Sequence, residues 1–565
     1  MCIKMKHLDL RTGSATASLK EIAGRPNSVC TDVSFKLTDT SLSIHVEAED
    51  LDMLHLISSI SAPNKDPQLY EEDVIQMAIA LPGQATIGDW LVINPHGSRK
   101  GSPAALEWTA IPTRHGNGWS MAITLPRPAV PVIGLSLHRY YRGVNHEVHG
   151  LGTNLPHPLE PARFPILILD GPEPALDADH HFRHQAQAAA HAADQKAVDA
   201  VRQRVAVARK QSDFVQLTSL DQAIRLTDLR VQRAIEPNER FLCWNEGHFL
   251  HALLNLWELT QDRRWIALAL DRIEDVWSAR EQQPDGAFLP TWINDLETGV
   301  PCTLVTGGIL WPITRVLGLI HETPALAEFK NQVRGWIPLA EAALAFHDDE
   351  WIAFPDGSGM HIEPYQKGPR RIYTHSDVRG SRINPVNREY FYTLAMMELN
   401  RFKRHPEHIR KIWMNAHFFK QNSDWTEDRW VWEYEIGRYP ACGEDIDHGS
   451  CQVEFAHQCA RDGIVFTEAD LGKMAATVAQ NIYRHGDVPC NDIRGYHPGF
   501  GIGIALWSPL CRFPVARPLF PHIESLIATA VAEKNPSFDG SQGWGIRLIT
   551  ALEQTRRMLA KLENR

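Results

Sequence analysis

The chain has 565 residues and a formal net charge of −11, with 57 Lys and Arg residues against 68 Asp and Glu residues. One ordinary hydrophobic core does not extend over this length, so we expect two domains. The acidic balance argues against a nucleic-acid partner, because phosphate binding needs clustered basic charge. Hydrophobic residues at 44% and charged residues at 22% are typical of a folded globular protein.

The cysteines and the N-terminus bear on the compartment. The nine cysteines are scattered and form no CxxC pair, which predicts neither a disulfide framework nor a cysteine zinc site and favours a reducing compartment. No apolar segment follows the first basic residues, and we expect no later stretch to reach the length of a membrane span. The prediction is a cytoplasmic protein without a membrane partner, or a periplasmic or secreted one if a signal peptide was trimmed. The sequence does not indicate the oligomeric state.

Residues 1–172 have the pattern of an antiparallel β-sandwich. Apolar and polar residues alternate with a period of two in runs such as Ser41–Ala48 and Gly118–Pro126, and Gly, Pro and Asn separate the runs. Such alternation is typical of strands with one buried face, and closely spaced turns favour sheets built from hairpins. We therefore predict a first domain made of two packed sheets.

The order of features in this domain resembles the family-9 type of carbohydrate-binding module. A strand ends in Glu49-Asp50, and the runs Leu69–Ile79, Trp90–Pro95 and Gly118–Pro126 follow. The resemblance implies a module that either binds a glycan or serves as a structural support for the next domain.

Helical patterns occupy the rest of the chain. Residues 173–212 are rich in Ala, Gln, His, Asp and Arg, which predicts a helical connector. From residue 213 the apolar residues repeat at helical spacing, and twelve predicted helices pair into six hairpins, which can close into an (α/α)6 toroid over 213–565. An open solenoid is the alternative, but the connections differ in length and the insert at 349–383 is long. The predicted helices cover 213–235, 244–260, 262–282, 303–322, 325–348, 384–404, 406–424, 447–463, 467–485, 500–511, 517–534 and 541–562.

The densest candidate site is the segment Glu444-Asp-Ile-Asp-His-Gly449. Three carboxylates and a histidine within five positions repel one another unless a proton, a cation or a substrate compensates. We predict catalytic roles for Glu444, Asp445 and His448, while Asp447 also suits the cap of the following helix. We expect no cofactor; the alternative is a divalent cation held by Asp445, Asp447 and His448.

This segment also carries a family resemblance. Glu444–Gly449, followed by Val453–Ala456 and Asp462–Thr467, resembles the signature of bacterial toroid proteins that are grouped with polysaccharide lyases and other six-hairpin sugar enzymes. The resemblance extends to Asn384–Met396, where relatives place a polar helix start that faces the substrate. It implies a carbohydrate-active enzyme, and members of this group perform lyase, hydrolase and epimerase chemistry on one scaffold.

The leading prediction is a lyase that cleaves a uronate-containing poly- or oligosaccharide by β-elimination. This reaction needs a base for the C5 proton, an acid for the leaving oxygen and donors that neutralise the carboxylate. His375, Tyr390 and Tyr392 are the predicted proton-transfer residues, and Asn387 and Arg388 are predicted to hold the carboxylate. Helix starts and a Gly/Pro-rich loop supply further predicted substrate-binding residues, which are Glu246, His248, Asn384, Arg494, Tyr496 and His497.

Two other functions stay open. An inverting glycoside hydrolase, or a uronyl C5-epimerase on the same scaffold, would use Glu444 or Asp445 together with Glu246. A non-catalytic glycan-binding protein is the alternative outside enzymes. The sequence contains no phosphate-binding P-loop, nucleophile elbow or dinucleotide fingerprint.

Overall fold

The structure, a computed structural model, forms two compact units, one up to Lys196 and one from Ala197 onward. The boundary falls within a single long helix, Ala175–Ala208. The residues that the structure describes are 7–18, 20–21, 31–49, 74–84, 89–94, 99–115, 118–141, 147–150, 166–170, 175–235, 242–282, 286–292, 301–363, 382–383, 386–426, 428–432 and 444–564.

The first unit is a sandwich of two sheets, as the alternating pattern predicts. One sheet has the strand order β2-β4-β5-β10-β9, and the other has the order β1-β13-β11-β6-β7-β8, with β12 also paired to β11 and β3 paired to β12. All pairs are antiparallel except β1 with β13. The strands are β1 His7–Asp9, β2 Ser14–Ser18, β3 Lys20–Glu21, β4 Thr31–Leu37, β5 Ser41–Glu49, β6 Val74–Ala80, β7 Asp89–Ile93, β8 Arg99–Gly101, β9 Thr109–His115, β10 Gly118–Pro126, β11 Val132–Tyr141, β12 Glu147–Gly150 and β13 Ile166–Ile168.

The core of the sandwich lies between the two sheets. Alternate residues of β5, such as Ile44 and Val46, are fully buried against residues of the facing sheet such as Met77 and Leu135. A short helix, α1, covers Pro103–Leu106. Helix α2, Ala175–Ala208, is the segment predicted as a connector, and its Phe182 packs on the outer face of the larger sheet.

The second unit consists of helices with short strands in the connections. The α-helices are α3 Leu220–Val231, α4 His248–Thr260, α5 Arg264–Ser278, α6 Thr303–Glu322, α7 Lys330–Val333, α8 Trp336–Ala345, α9 Val386–Phe402, α10 Pro406–Gln421, α11 Ser450–Arg461, α12 Glu468–Thr477, α13 Phe520–Ala532 and α14 Gly543–Glu563. The 3₁₀ helices are Phe214–Thr218, Pro324–Phe329, Asp348–Glu350, Ile502–Arg512, Arg517–Leu519 and Pro536–Phe538, and the π-helices are Cys243–Gly247 and Val478–Ile482. The strands are β14 Trp351–Ala353, β15 Gly359–Glu363, β16 Arg382–Ile383, β17 Asp424–Trp425 and β18 Trp430–Val431.

Six of these helical segments close an inner ring, which confirms the predicted (α/α)6 toroid. In ring order they are α4, α6, α9, α11, the 3₁₀ helix Ile502–Arg512 and α14, and α14 packs against α4 to complete the circle. The outer layer is formed by α3, α5, α8, α10, α12 and α13, each packed on one or two inner segments. Inner helices are buried on nearly every side, whereas outer helices such as α5 bury only one face.

The prediction that no later stretch reaches the length of a membrane span is wrong, judged by length and composition alone. Within the described ranges, one helix, α6, is long enough and apolar enough to cross a membrane. Its most apolar window is 89% buried inside the protein, because α6 is an inner helix surrounded by others. A fully covered core helix and a membrane helix have the same composition, so the sequence alone does not separate them.

Helices α6 and α9 approach so closely that a glycine is required between them. A Cβ atom at Gly307 would lie 2.3 Å from the backbone nitrogen of Tyr392 and 2.6 Å from the carbonyl carbon of Phe391. Neither backbone atom can move without shifting α9. Position 307 therefore accepts no side chain at the present spacing of the two helices.

We predict that Gly307→Ala lowers the free energy of unfolding by about 1–3 kcal/mol, the usual cost of overpacking a core. Urea unfolding followed by circular dichroism measures the change. The matched control is Gly335→Ala, because a Cβ atom at Gly335 meets nothing within 4 Å. We expect that control to stay within about 0.5 kcal/mol of wild type. Equal stabilities for the two variants would contradict the close approach of α6 and α9.

Candidate functional site

A pocket of about 460 Å³ opens at one mouth of the ring. Its walls come from the segments at which four inner helices begin: Trp244 before α4, Asp445 before α11, Gly501 before Ile502–Arg512 and Trp544 at the start of α14. Each outer helix returns the chain to the same end, so the inner helices run in one direction and their N-termini meet. Backbone N–H groups at helix N-termini have no intrahelical partners, which makes this mouth a polar surface.

Two half-buried tryptophans and a histidine form an aromatic wall of the pocket. The ring of His248 lies 5.5 Å from that of Trp244 and 4.5 Å from that of Trp544, between centroids. Trp244 also meets His448 edge to face at 6.0 Å. Indole rings offer flat apolar faces with a polar edge, so this wall suits a ligand that has both kinds of surface.

The acidic segment is fixed at the pocket by contacts with distant parts of the chain. Ile446 N donates to Asn491 O at 3.0 Å, and Ile493 N donates to Glu444 O at 3.0 Å. Trp507 Nε1 donates to Ile446 O at 2.8 Å. These contacts fix the backbone of the segment, and its residues Asp445, Ile446, Asp447 and His448 line the pocket.

Asp445 and His448 form a charged pair in the pocket wall. Asp445 Oδ1 accepts from the backbone nitrogens of Asp447 and His448, and Oδ2 accepts from His448 Nδ1 at 2.5 Å. Burial raises the pKa of Asp445, but the hydrogen bonds and the His448 charge outweigh it and leave the pKa below its usual range. Burial lowers the pKa of His448, but Asp445 and then Asp447 raise it to a net increase. Both shifts favour the charged forms of the pair.

The pKa of Asp447 is shifted in the opposite direction from that of Asp445. Its Oδ1 accepts from Gly503 N at 2.7 Å at the start of the 3₁₀ helix Ile502–Arg512. Asp447 therefore does not cap α11, the helix that follows it, as predicted; the N-cap residue of α11 is Gly449. No hydrogen bond to Oδ2 comes from the described part of the chain. Asp447 is exposed at the pocket, and partial desolvation by the surrounding protein raises the pKa of its carboxyl group; the bond from Gly503 offsets part of this and the nearby Asp445 charge adds to it. The pocket thus holds two carboxyl groups whose pKa values move apart.

Glu444 is a supporting residue rather than a wall of the pocket, contrary to its predicted catalytic role. Its side chain is fully buried, and Oε2 accepts from Gln452 Nε2 at 2.7 Å. Burial, followed by the charge of Asp445, holds the pKa of Glu444 well above its usual range. Burial therefore favours the neutral form of this carboxyl group, and Glu444 is not among the residues that line the pocket.

Three side chains in this region could hold a cation. Ligand atoms of Glu444, Asp445 and His448 lie within 4.8 Å of one another, and this set replaces the predicted Asp445, Asp447 and His448. Divalent cations accept such oxygen and nitrogen donors, although a neutral Glu444 would first lose its proton. The Asp445–His448 pair and the protonated Glu444 also balance the local charge without a cation. The absence of a cofactor stays a prediction.

Tyr390 and Tyr392 lie in the core, so their predicted proton-transfer roles are wrong. Tyr390 is fully buried and stacks on Phe455 with 4.4 Å between ring centroids. The hydroxyl of Tyr392 donates to the backbone oxygen of Leu344. Burial raises the pKa of both tyrosines well above the usual value. Helix α9 is an inner helix, so side chains on all its faces pack against neighbouring helices.

Glu246 is likewise not a substrate-binding or catalytic carboxylate. It is fully buried, with Oε1 and Oε2 paired to Arg272 at 2.6 and 3.0 Å and a second ion pair to Arg230. Two arginines therefore neutralise its charge inside the protein. His248, two residues further on, does line the pocket as predicted.

The remaining predicted residues have different positions. The Gly/Pro-rich loop contributes Asn491 to the pocket, while Arg494 donates to Asp424 Oδ2 at 3.0 Å and Tyr496 lies beside Arg484; neither lines the pocket, and nor does His497. Arg388 lies near enough to His448 for its charge to lower the pKa of that histidine. His375 and Asn384 lie outside the described residues, and Asn387 is described only in the backbone of α9.

Seven wall residues have no counterpart in the predicted site: Trp244, Asn245, Ile446, Asn491, Gly501, Gln542 and Trp544. The signal for Trp544 is a glycine-rich start, Gly540-Ser-Gln-Gly-Trp544, before the last predicted helix. This signal is weak, because the chain has 17 tryptophans and the sequence pattern favours a place in the core for most of them.

No family model and no curated protein matches the chain. Among solved structures, the chain is similar to a family-9 carbohydrate-binding module from Caldicellulosiruptor kristjanssonii in complex with cellotriose, with 11% identity, 31% of this chain, 91% of that chain and a TM-score of 0.24. It is also similar to the GH76A α-1,6-mannanase of Salegentibacter sp. HEL1_6, with 12% identity, 59% of this chain, 99% of that chain and a TM-score of 0.37. An inactive variant of that enzyme bound to α-1,6-mannotriose matches with the same identity and coverage and a TM-score of 0.38.

We predict that Asp445→Asn lowers the pKa of His448, because the variant removes the largest interaction that raises it. NMR titration of the histidine ring signals measures the shift. In wild type, protonation of His448 stabilises the fold fully below the unfolded pKa of about 6.5, and this contribution is lost as the pH rises through the higher folded pKa. The control Asp424→Asn should leave the His448 titration unchanged. A His448 pKa that is the same in wild type and Asp445→Asn would contradict the pair.

Proposed function

We propose that the pocket at the mouth of the ring hydrolyses a glycosidic bond, with Asp447 as the general acid and Asp445 as the ionised carboxylate. The observation that carries the proposal is the presence of these two carboxyl groups in one pocket, with pKa values shifted in opposite directions, beside Trp244 and Trp544. Glycoside hydrolysis requires one protonated and one ionised carboxyl group at the scissile bond.

Asp447 has the features of an acid. Its raised pKa keeps it protonated at higher pH than an ordinary aspartate, and the bond from Gly503 to Oδ1 leaves Oδ2 to carry the proton. A proton on Oδ2 can pass to the leaving glycosidic oxygen as the bond to the anomeric carbon breaks.

Asp445 has the features of the partner carboxylate. It stays ionised because His448 and two backbone N–H groups hold its charge. Its negative charge stabilises the positive charge that develops on the sugar ring, and it acts on a water molecule or on the anomeric carbon itself. The separation of the two carboxyl groups around the bound sugar decides between inversion and retention.

The wall of the pocket supports an uncharged sugar. The pyranose ring has apolar C–H faces and polar edges, which match the indole faces of Trp244 and Trp544 and the amide of Asn491. The ionisable groups of the wall are Asp445, Asp447, His248 and His448, so a uronate would meet the ionised Asp445, while the one cationic group, His448, is already paired with Asp445. A neutral glycan avoids this repulsion.

The lyase predicted from the sequence has less support. Its two tyrosines are buried in the core, and His375 and Asn384 lie outside the described residues. β-Elimination, C5-epimerisation and glycan binding without catalysis stay untested predictions. Glycan binding by the β-sandwich is a further untested proposal. Elimination would yield an unsaturated, ultraviolet-absorbing product, and epimerisation would yield no new reducing end.

We predict that the wild-type chain releases reducing ends from a neutral glycan in a panel of α- and β-linked glucans, mannans and xylans with uronans for comparison. Asp447→Asn should lower kcat/KM by about 10²–10⁴-fold, because it removes general acid catalysis. Wild-type activity should fall as the pH rises through the raised pKa of Asp447 and as it falls through the lowered pKa of Asp445. The matched control, Asp221→Asn on the exposed start of α3, should retain full activity. Cleavage of uronans with ultraviolet-absorbing products, or full activity of Asp447→Asn, would overturn the proposal.

A further inference from the structure

His248 is a buried histidine with one ring nitrogen paired and the other unpaired. It is 3% exposed, and it lines the pocket between Trp244 and Trp544. Its Nδ1 lies 2.7 Å from Arg547 Nη1 on α14. Its Nε2 has no hydrogen-bond partner among the described residues.

The arginine fixes the protonation state and the tautomer of this ring. A guanidinium group can only donate, so Nδ1 must accept, and the proton of a neutral imidazole must then be on Nε2. Burial, together with the Arg547 charge, lowers the pKa of His248 well below its usual value, which keeps the ring neutral. Arg547 itself keeps its charge at neutral pH, because burial lowers its pKa only to about 10.

Among the described residues, the charged and titratable groups around His248 and Arg547 are consistent with this state. His251 lies one turn further along α4, and its charged form would repel His248 and Arg547. Glu454 on α11 acts on Arg547 and favours its charge, whereas Arg315 on α6 opposes it. The other pocket histidine, His448, is paired with Asp445. The ring of Trp244 contacts both His448 and His248.

The unpaired N–H points away from Arg547, because the two nitrogens of an imidazole lie on opposite sides of the ring. A buried donor without an acceptor is unfavourable, and because His248 is one of the residues that line the pocket, a ligand bound there can supply the acceptor. We propose that Arg547 fixes His248 as a neutral hydrogen-bond donor to an uncharged oxygen of a sugar bound between Trp244 and Trp544. The inference rests on the proposed function for its substrate class, and it assigns Arg547 as a positioning residue.

The first test is the state of the ring in the wild-type chain. In ¹⁵N-labelled protein, NMR should show His248 with a protonated Nε2 and an unprotonated Nδ1 throughout about pH 5 to 8. Arg547→Met should allow both tautomers and raise the pKa of His248, because it removes the Arg547 charge but leaves the burial. A proton on Nδ1, or an imidazolium in the wild type, would overturn the inference whatever the enzyme's activity.

The second test is the contribution of the donor to binding. His248→Phe should raise KM by up to about tenfold with kcat little changed, because it removes one hydrogen bond made in ground and transition states alike. His248→Gln, whose side-chain amide carries an N–H group at about the same distance from the backbone as Nε2 of the histidine, should restore most of the affinity. The matched control is His251→Phe, since His251 is equally buried on the same helix but does not line the pocket.

Failure of the inference is distinguishable from failure of the proposed hydrolase. If the wild type hydrolyses a glycan and His248→Phe has the same KM as wild type and His251→Phe, the inference is wrong and the hydrolase stands. If no glycan is hydrolysed, fluorescence titration of the pocket tryptophans with cellotriose and mannotriose replaces KM. Weaker binding to His248→Phe than to His251→Phe then supports the donor, and equal binding of both variants and wild type overturns it.

Discussion

The contact between the last helix and the first inner helix is the constraint on which the rest of the second unit depends. Helix α14 packs against α4 so closely that a Cβ atom at Gly543 would lie 2.3 Å from the backbone nitrogen of Phe249. Asn255 donates to Thr550 across the same contact at 3.1 Å. Because this contact closes the ring, six inner segments share one direction, and their first residues meet at one mouth. An open solenoid would leave Trp244 and Trp544 at opposite ends of the repeat.

The closed ring explains how one short turn can carry the chemistry. Asp445 and Asp447 are two residues apart, yet one is held by His448 and the other by Gly503 of a different inner helix. Their environments therefore differ although their sequence positions nearly coincide, and their pKa values move in opposite directions for that reason. The same closure brings Arg547 of α14 to His248 of α4, where 299 positions separate the two residues in the chain.

The sequence predicts the fold better than the site. Periodicity identifies the strands of the sandwich and nearly all of the ring helices, because burial patterns are local. The roles of residues at the site depend on partners that are distant in the sequence. Glu246 forms ion pairs with Arg230 and Arg272, and no sequence pattern near residue 246 reveals these pairs. Tyr390 and Tyr392 have the right chemistry for elimination, but an inner helix covered on all sides buries both. The acidic segment is an exception, because its charged residues are neighbours in the sequence and the sequence alone therefore indicates it as a site.

The central claim is that the mouth of the ring hydrolyses glycosidic bonds. The most direct measurement is mass spectrometry of the products formed from a neutral glycan in ¹⁸O-labelled water. Hydrolysis predicts one ¹⁸O atom in each new reducing end released by the wild type, and none above background with Asp447→Asn. Products that carry no ¹⁸O when first formed, or that have lost a water molecule relative to the hydrolysis product, would contradict the account.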